Sequence, residues 1–75
     1  MPSQAAQALE KAIRALGGTW DTHRSVTALR DAGLGDGDQR AQEKRARQAL
    51  RDLHEAGVIV KIDPDSATYR LAPER

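Results

Sequence analysis

Arg47-Gln48-Ala49-Leu50-Arg51-Asp52-Leu53-His54-Glu55-Ala56-Gly57-Val58-Ile59 runs from a helical pattern into a strand pattern across one glycine. Ala46, Ala49, Leu50 and Leu53 recur at the three- and four-residue intervals that gather side chains on one face of a helix. Gly57 ends that helix because glycine takes the left-handed conformation at little cost. Beyond it, Val58-Ile59-Val60-Lys61-Ile62 is β-branched, Asp63-Pro64-Asp65-Ser66 has turn chemistry, and Ala67-Thr68-Tyr69-Arg70-Leu71 returns with alternation. A hairpin follows the helix directly. With Val58, Val60, Tyr69 and Leu71 taken as the inward side chains, its apolar face must lie on helices, since an isolated hairpin is marginal in water.

Upstream, the same helix reaches back to a cap at Asp36 or Asp38. Before it, Gly33-Leu34-Gly35-Asp36-Gly37 is a glycine-rich turn with one leucine to tuck inward. A second helix, capped by Asp21 or Thr22, runs to about residue 32 with Val26 and Leu29 inward. Thr19-Trp20 reads as a short extended stretch. The first helix spans residues 3–16, with Ser3 as N-cap, Leu9, Ile13 and Leu16 on its apolar face, and Gly17-Gly18 as the stop. Residues 1–2 and 72–75 are expected to fray, which leaves one ordered domain of about residues 3–71. The fold class is α+β.

Helix, short strand, helix, turn, long helix and hairpin is a layout that resembles the winged helix-turn-helix DNA-binding superfamily. Residues 47–59 look like the end of a recognition helix and its entry into a wing, and residues 21–33 resemble the preceding helix of the motif. The likeness covers about residues 5–71. It implies three helices with a short C-terminal wing, and double-stranded DNA as partner. Winged helices of bacterial regulators and of plasmid or phage replication and translocation proteins are similar to this chain. Two departures stand out: the turn before the third helix is longer and richer in glycine than usual, and the wing tip is only about four residues.

Charge sharpens the expectation. The 75-residue chain has 12 Lys+Arg against 11 Asp+Glu, a net +1 that by itself speaks against a strong nucleic-acid binder. Yet residues 39–51 hold five cations (Arg40, Lys44, Arg45, Arg47, Arg51) against Glu43 alone, a local +4 that leaves −3 elsewhere. Arg40, Lys44, Arg47 and Arg51 are spaced 4-3-4 and fall in a stripe about 60° wide, roughly opposite the apolar arc. A major groove admits one α-helix between walls of phosphate, and arginine forks onto guanine or phosphate. Gln42 and Gln48 read as flanking the stripe, where they would meet adenine edges. Lys61 and Arg70 are the wing's cations, with Thr68 on the face of Arg70, while Asp63 and Asp65 at the tip would repel phosphate. His23 and Arg24, with the amides at the start of the second helix, form a candidate phosphate clamp, and Arg30 is a further candidate on that helix. The competing reading is a solvated face in which Glu43 pairs with Arg40 or Arg47, and Arg51 with Glu55.

Other function classes find little support. Without cysteine there is no disulfide, Cys-zinc finger or thiol catalyst. No apolar run is long enough for a membrane span. Trp20 and Tyr69 are the only aromatics and are needed in the core, so no platform remains for stacking single-stranded bases. His23 and His54 lack metal-ligand spacing, and no phosphate loop follows a strand. No catalytic residue, metal, cofactor or small-molecule ligand is therefore expected. The alternative function is a winged helix used for protein–protein interaction, with a small enzyme a distant third. Nine Arg against three Lys, with thirteen Ala, fits a GC-rich bacterial genome and hence a cytoplasmic protein. A lone module of this size buries little DNA surface, so tethering to a larger protein or self-association on DNA is expected.

Overall fold

Three short polar side chains start the three helices of the computed structural model, which describes residues 3–73. Ser3 caps α1 (Gln4–Leu16), its Oγ accepting from the Ala6 amide at 3.1 Å. Asp21 caps α2 (Thr22–Asp31) by accepting from the Arg24 amide at 2.8 Å, and Asp38 caps α3 (Gln39–Glu55) through the Ala41 amide at 2.9 Å. Each cap satisfies an amide that has no partner within its helix and contributes about 1 kcal/mol. Of the alternatives open in the sequence, Asp21 and Asp38 are thus the caps, and Thr22 and Asp36 are not.

The connection between α2 and α3 shows why its sequence is so rich in glycine. The Leu34 amide donates to the Leu29 carbonyl at 2.8 Å, which turns the Leu34 side chain toward the core. Gly35 then passes directly over Arg30. A Cβ there would sit 2.6 Å from Arg30 Cγ and 3.1 Å from its Cα, so only hydrogen fits. The length of this turn reflects a close crossing of backbone over helix.

At the other end of α3, Gly57 has a φ of 80° and its amide donates to the His54 carbonyl at 3.1 Å. β1 (Ile59–Lys61) and β2 (Tyr69–Leu71) pair antiparallel, with Ile59 opposite Leu71, Val60 opposite Arg70 and Lys61 opposite Tyr69. Hydrogen bonds from Ile62 N to Thr68 O and from Ala72 N to Val58 O extend the pairing at both ends. Ala72 is therefore tied down rather than frayed. The fraying expected at Met1, Pro2, Glu74 and Arg75 concerns residues outside the described ones. Trp20 joins the two-stranded sheet through an isolated antiparallel bridge to Tyr69, so β2 is hydrogen-bonded on both edges there. Three helices closed by this hairpin form an α+β winged helix-turn-helix.

The core unites Ala6, Leu9 and Ile13 of α1, Trp20 from the α1–α2 connection, Val26 and Leu29 of α2, Ala46, Ala49, Leu50 and Leu53 of α3, and Ile59 of β1. Ser25, fully buried among them, donates from its Oγ to the Asp21 carbonyl at 2.8 Å, so its hydroxyl is satisfied. Two expectations about the core need correction. Ile59, not Val60, is the inward residue of β1, and Val60 is half-buried on the other face, while Val58, just before the strand, packs half-buried against the core. Side chains alternate along a strand, so a parity error of one residue exchanges the faces. Leu16 continues the apolar stripe of α1 but is 66% exposed, because the chain reverses at Gly17 before anything packs over the last turn.

Gly35→Ala is expected to lower the unfolding free energy by about 1–3 kcal/mol through overpacking against Arg30. Leu16→Gln should stay within about 0.5 kcal/mol of wild type, as for other surface changes. Urea unfolding followed by Trp20 fluorescence reads both.

Candidate nucleic-acid interface

Burying Ala46, Ala49, Leu50 and Leu53 fixes the rotation of α3, and with it the direction of every other side chain on the helix. Arg40, Lys44, Arg47 and Arg51 are all exposed on the far side. Among the described residues only two ion pairs form, Arg14 with Glu10 at 3.0 Å and Arg47 with Glu43 at 3.7 Å. The pairs Glu43–Arg40 and Arg51–Glu55 do not form, so Arg40, Lys44 and Arg51 have no acidic partner among those residues. Glu43 is shared besides, accepting from Gln39 Nε2 at 2.8 Å. An exposed contact as long as that of Arg47 contributes at most a few tenths of a kcal/mol.

The stripe continues onto the hairpin. A cleft of about 440 Å³ separates the C-terminal half of α3 from the wing. Arg47, Arg51, His54 and the acidic Glu55 line it from α3, Lys61 and Tyr69 from the hairpin, and Thr22 from the first turn of α2. The His54 and Tyr69 rings meet at 5.6 Å with a tilt of 57° and join the two walls. Lys61 stands directly across from Tyr69 and shares its face. Arg70 pairs with Val60, one position out of phase, and so occupies the opposite face. Of the two wing cations the structure brings Lys61 to the stripe and leaves Arg70 away from it. Sequence reasoning weighed His54 only as a metal ligand; its place three residues after Arg51 and seven after Arg47 was the signal for membership of this face.

Several other candidates have structural duties. Arg24 lies 3.9 Å over the centroid of the Trp20 ring, and its Nη1 donates to the carbonyls of Thr19 at 2.8 Å and Gly17 at 3.2 Å. It covers the core tryptophan and holds the α1–α2 connection, so the clamp expected of it with His23 is not assembled; the Arg24 amide is also taken by Asp21. His23 itself is exposed on the first turn of α2, and Arg30 is exposed beneath Gly35. Gln42 does not flank the stripe. It is half-buried on the core side, four residues before Ala46, where its Nε2 donates to the Gly37 carbonyl at 2.8 Å and its Oε1 is buried without a partner. Arg45 likewise turns back, its Nη1 donating to the Leu34 carbonyl at 2.7 Å. Gln48 is exposed beside the stripe and donates to Asp52 at 2.9 Å.

The chain shows no significant match to any family model, curated protein or solved structure. Function must then be argued from the site, since a fold of this kind serves many activities. Among the described residues no helix is long and apolar enough to cross a membrane.

Replacing Arg24 with Ala removes a cation–π contact and two hydrogen bonds, and should cost about 1–2 kcal/mol of stability. Arg40→Ala, with no intramolecular partner to lose, should stay within about 0.5 kcal/mol. Thermal or urea unfolding distinguishes the two classes of arginine.

Proposed function

We propose that this chain binds double-stranded DNA, with α3 lying in the major groove and Lys61 of the short wing reaching an adjacent phosphate. The observation that carries this reading is the set of four exposed cations on one side of α3, only one of them paired, continued across the cleft by Lys61. Eleven residues separate Arg40 from Arg51, so at ~1.5 Å per residue the stripe is about 16 Å long. That length matches about five base pairs at ~3.4 Å each. Asp63 and Asp65 keep the wing tip from entering a groove deeply, which limits the wing to Lys61.

Duplex rather than single-stranded DNA follows from the aromatics. Trp20 is fully buried and Tyr69 is held against His54, so neither offers an open ring for bases to stack on. With Gln42 turned inward and Gln48 bonded to Asp52, the donors on the exposed face are mainly guanidinium and ammonium groups. Base contacts would then fall on guanine O6 and N7, the acceptors that arginine forks onto. We read the domain as a binding module, not an enzyme: a cytoplasmic bacterial regulator, or the DNA-recognition part of a larger replication or translocation protein.

Fluorescence anisotropy on a duplex across a salt series tests this. Phosphate contacts by all five cations set the slope of log K against log salt at about −4.5 at most, and each arginine that forks onto guanine instead reduces it by about 0.9. Changing Arg40, Lys44, Arg47 and Arg51 together to Ala should reduce the slope to about −1 and weaken binding at low salt by more than tenfold. Replacing guanine by 7-deazaguanine, which removes N7, should weaken binding without altering the slope. Undetectable or salt-independent binding, or a quadruple variant that binds like wild type, would overturn the proposal.

A further inference from the structure

Two features on the flanks of the stripe go beyond the DNA reading, the first of them sharing Lys44 with it. On the side away from the wing, a groove of about 500 Å³ lies between the start of α1 and α3. Ala5, Leu34, Ala41 and Ala49 form its apolar floor, and Lys44 and Arg45 its rim. The bond from Arg45 Nη1 to the Leu34 carbonyl holds one of those charges in place.

The second feature is the tip of the hairpin. Ile62 is 46% exposed, one of only two large apolar side chains that are exposed among the described residues. Asp63, Pro64 and Asp65 follow it, all exposed. The tip is preformed: Asp63 accepts from the Asp65 amide at 3.0 Å through its side chain and from the Ser66 amide at 3.0 Å through its carbonyl, and Ser66 Oγ donates to Thr68 Oγ1 at 2.7 Å. Little further ordering is required on binding, which removes one of the main costs of association.

Tip and groove are complementary in both polarity and charge. One offers Ile62 and Pro64 alternating with two carboxylates, and the other an apolar floor beneath two cations. They cannot meet within one chain, because the hairpin lies along the Arg47–His54 side of α3 while the groove opens on the Ala41–Gln48 side. We propose that the hairpin tip of one copy docks in the groove of a second copy, with Ile62 and Pro64 on the alanine floor and Asp63 and Asp65 against Lys44 and Arg45. The two surfaces are different, so the contact is head-to-tail and leaves a free tip and a free groove at the ends of each assembly. A contact this small lies well below the ~800 Å² per partner of a stable interface and is weak. It would give the acidic tip, which the phosphates of DNA repel, a cationic partner.

Sedimentation of the full chain without DNA tests this independently of whether the stripe binds DNA. At concentrations up to about 1 mM in low salt, the weight-average mass should rise past that of a dimer, and in about 0.5 M salt it should return to that of a monomer. Ile62→Lys/Asp65→Lys alters the tip; Ala41→Glu places a carboxylate in the groove at a helix position that favours acid. Each variant alone should remain monomeric, with Trp20 fluorescence confirming its fold. An equal mixture keeps one intact tip and one intact groove, and should form a 1:1 pair and nothing larger. A wild-type chain that is monomeric throughout, or variants that associate as well as wild type, would overturn the proposal.

Discussion

Two hydrogen bonds decide where the wing stands. The Trp20 amide donates to the Tyr69 carbonyl at 2.7 Å, and the Tyr69 amide donates back at 2.8 Å. A two-stranded hairpin alone is marginal. Here β2 is bonded on both edges, and the residue that supplies the second bridge also drives its indole into the core. Trp20 is secured in turn by its own Nε1, which donates to the Gly17 carbonyl at 3.0 Å, and by the Arg24 guanidinium over its ring. The hairpin is thus anchored through the α1–α2 connection. That anchoring sets β1 beside α3 and β2 against α1, puts Tyr69 against His54, and leaves Lys61 facing Arg47 and Arg51 across the cleft.

α3 serves both core and surface, and the division follows its rotation. Its alanines and leucines fill the space between α1, α2 and β1. Arg45 and Gln42 look toward the glycine-rich turn and are taken up in fastening it. What remains on the solvent side is mainly cationic, because Glu43 is shared between Gln39 and a long contact to Arg47, and Asp52 accepts from Gln48. Among the described residues only Glu55, at the C-terminal end, adds a free carboxylate beside the cleft. The chain's net +1 is thereby resolved into one strongly positive face and a mildly negative remainder. Such a distribution fixes the orientation of a polyanion more than it raises affinity.

Much of this was legible in the sequence because the signals were periodic or local. The three helices, the stop at Gly57, the hairpin and the extended Trp20 all follow from spacing, capping and turn chemistry. The stripe follows from the same 100° arithmetic that identifies the core. The failures have physical causes. Val58, Ile59, Val60 and Ile62 are all β-branched, so alternation carries no information about which face is buried, and only the register set by Trp20 decides it. Leu16 obeys the helical period, but the period does not say where the neighbouring elements end. Arg24 and Arg45 look like free cations in sequence. Their partners are backbone carbonyls five, seven and eleven residues away at loop positions, and no side-chain pattern reveals those.

The claim on which the functional reading turns is that one face of one helix, with Lys61 beside it, is where a duplex sits. Backbone amide chemical shifts of the ¹⁵N-labelled chain, titrated with a short G·C-containing duplex, test it most directly. The largest shifts should map to Arg40, Lys44, Arg47, Arg51 and His54 on α3, then to Lys61 and Thr22, with Leu16, Val60 and Arg70 little changed. Shifts concentrated on the outer face of the hairpin or the end of α1, or none at all at low salt, would contradict it.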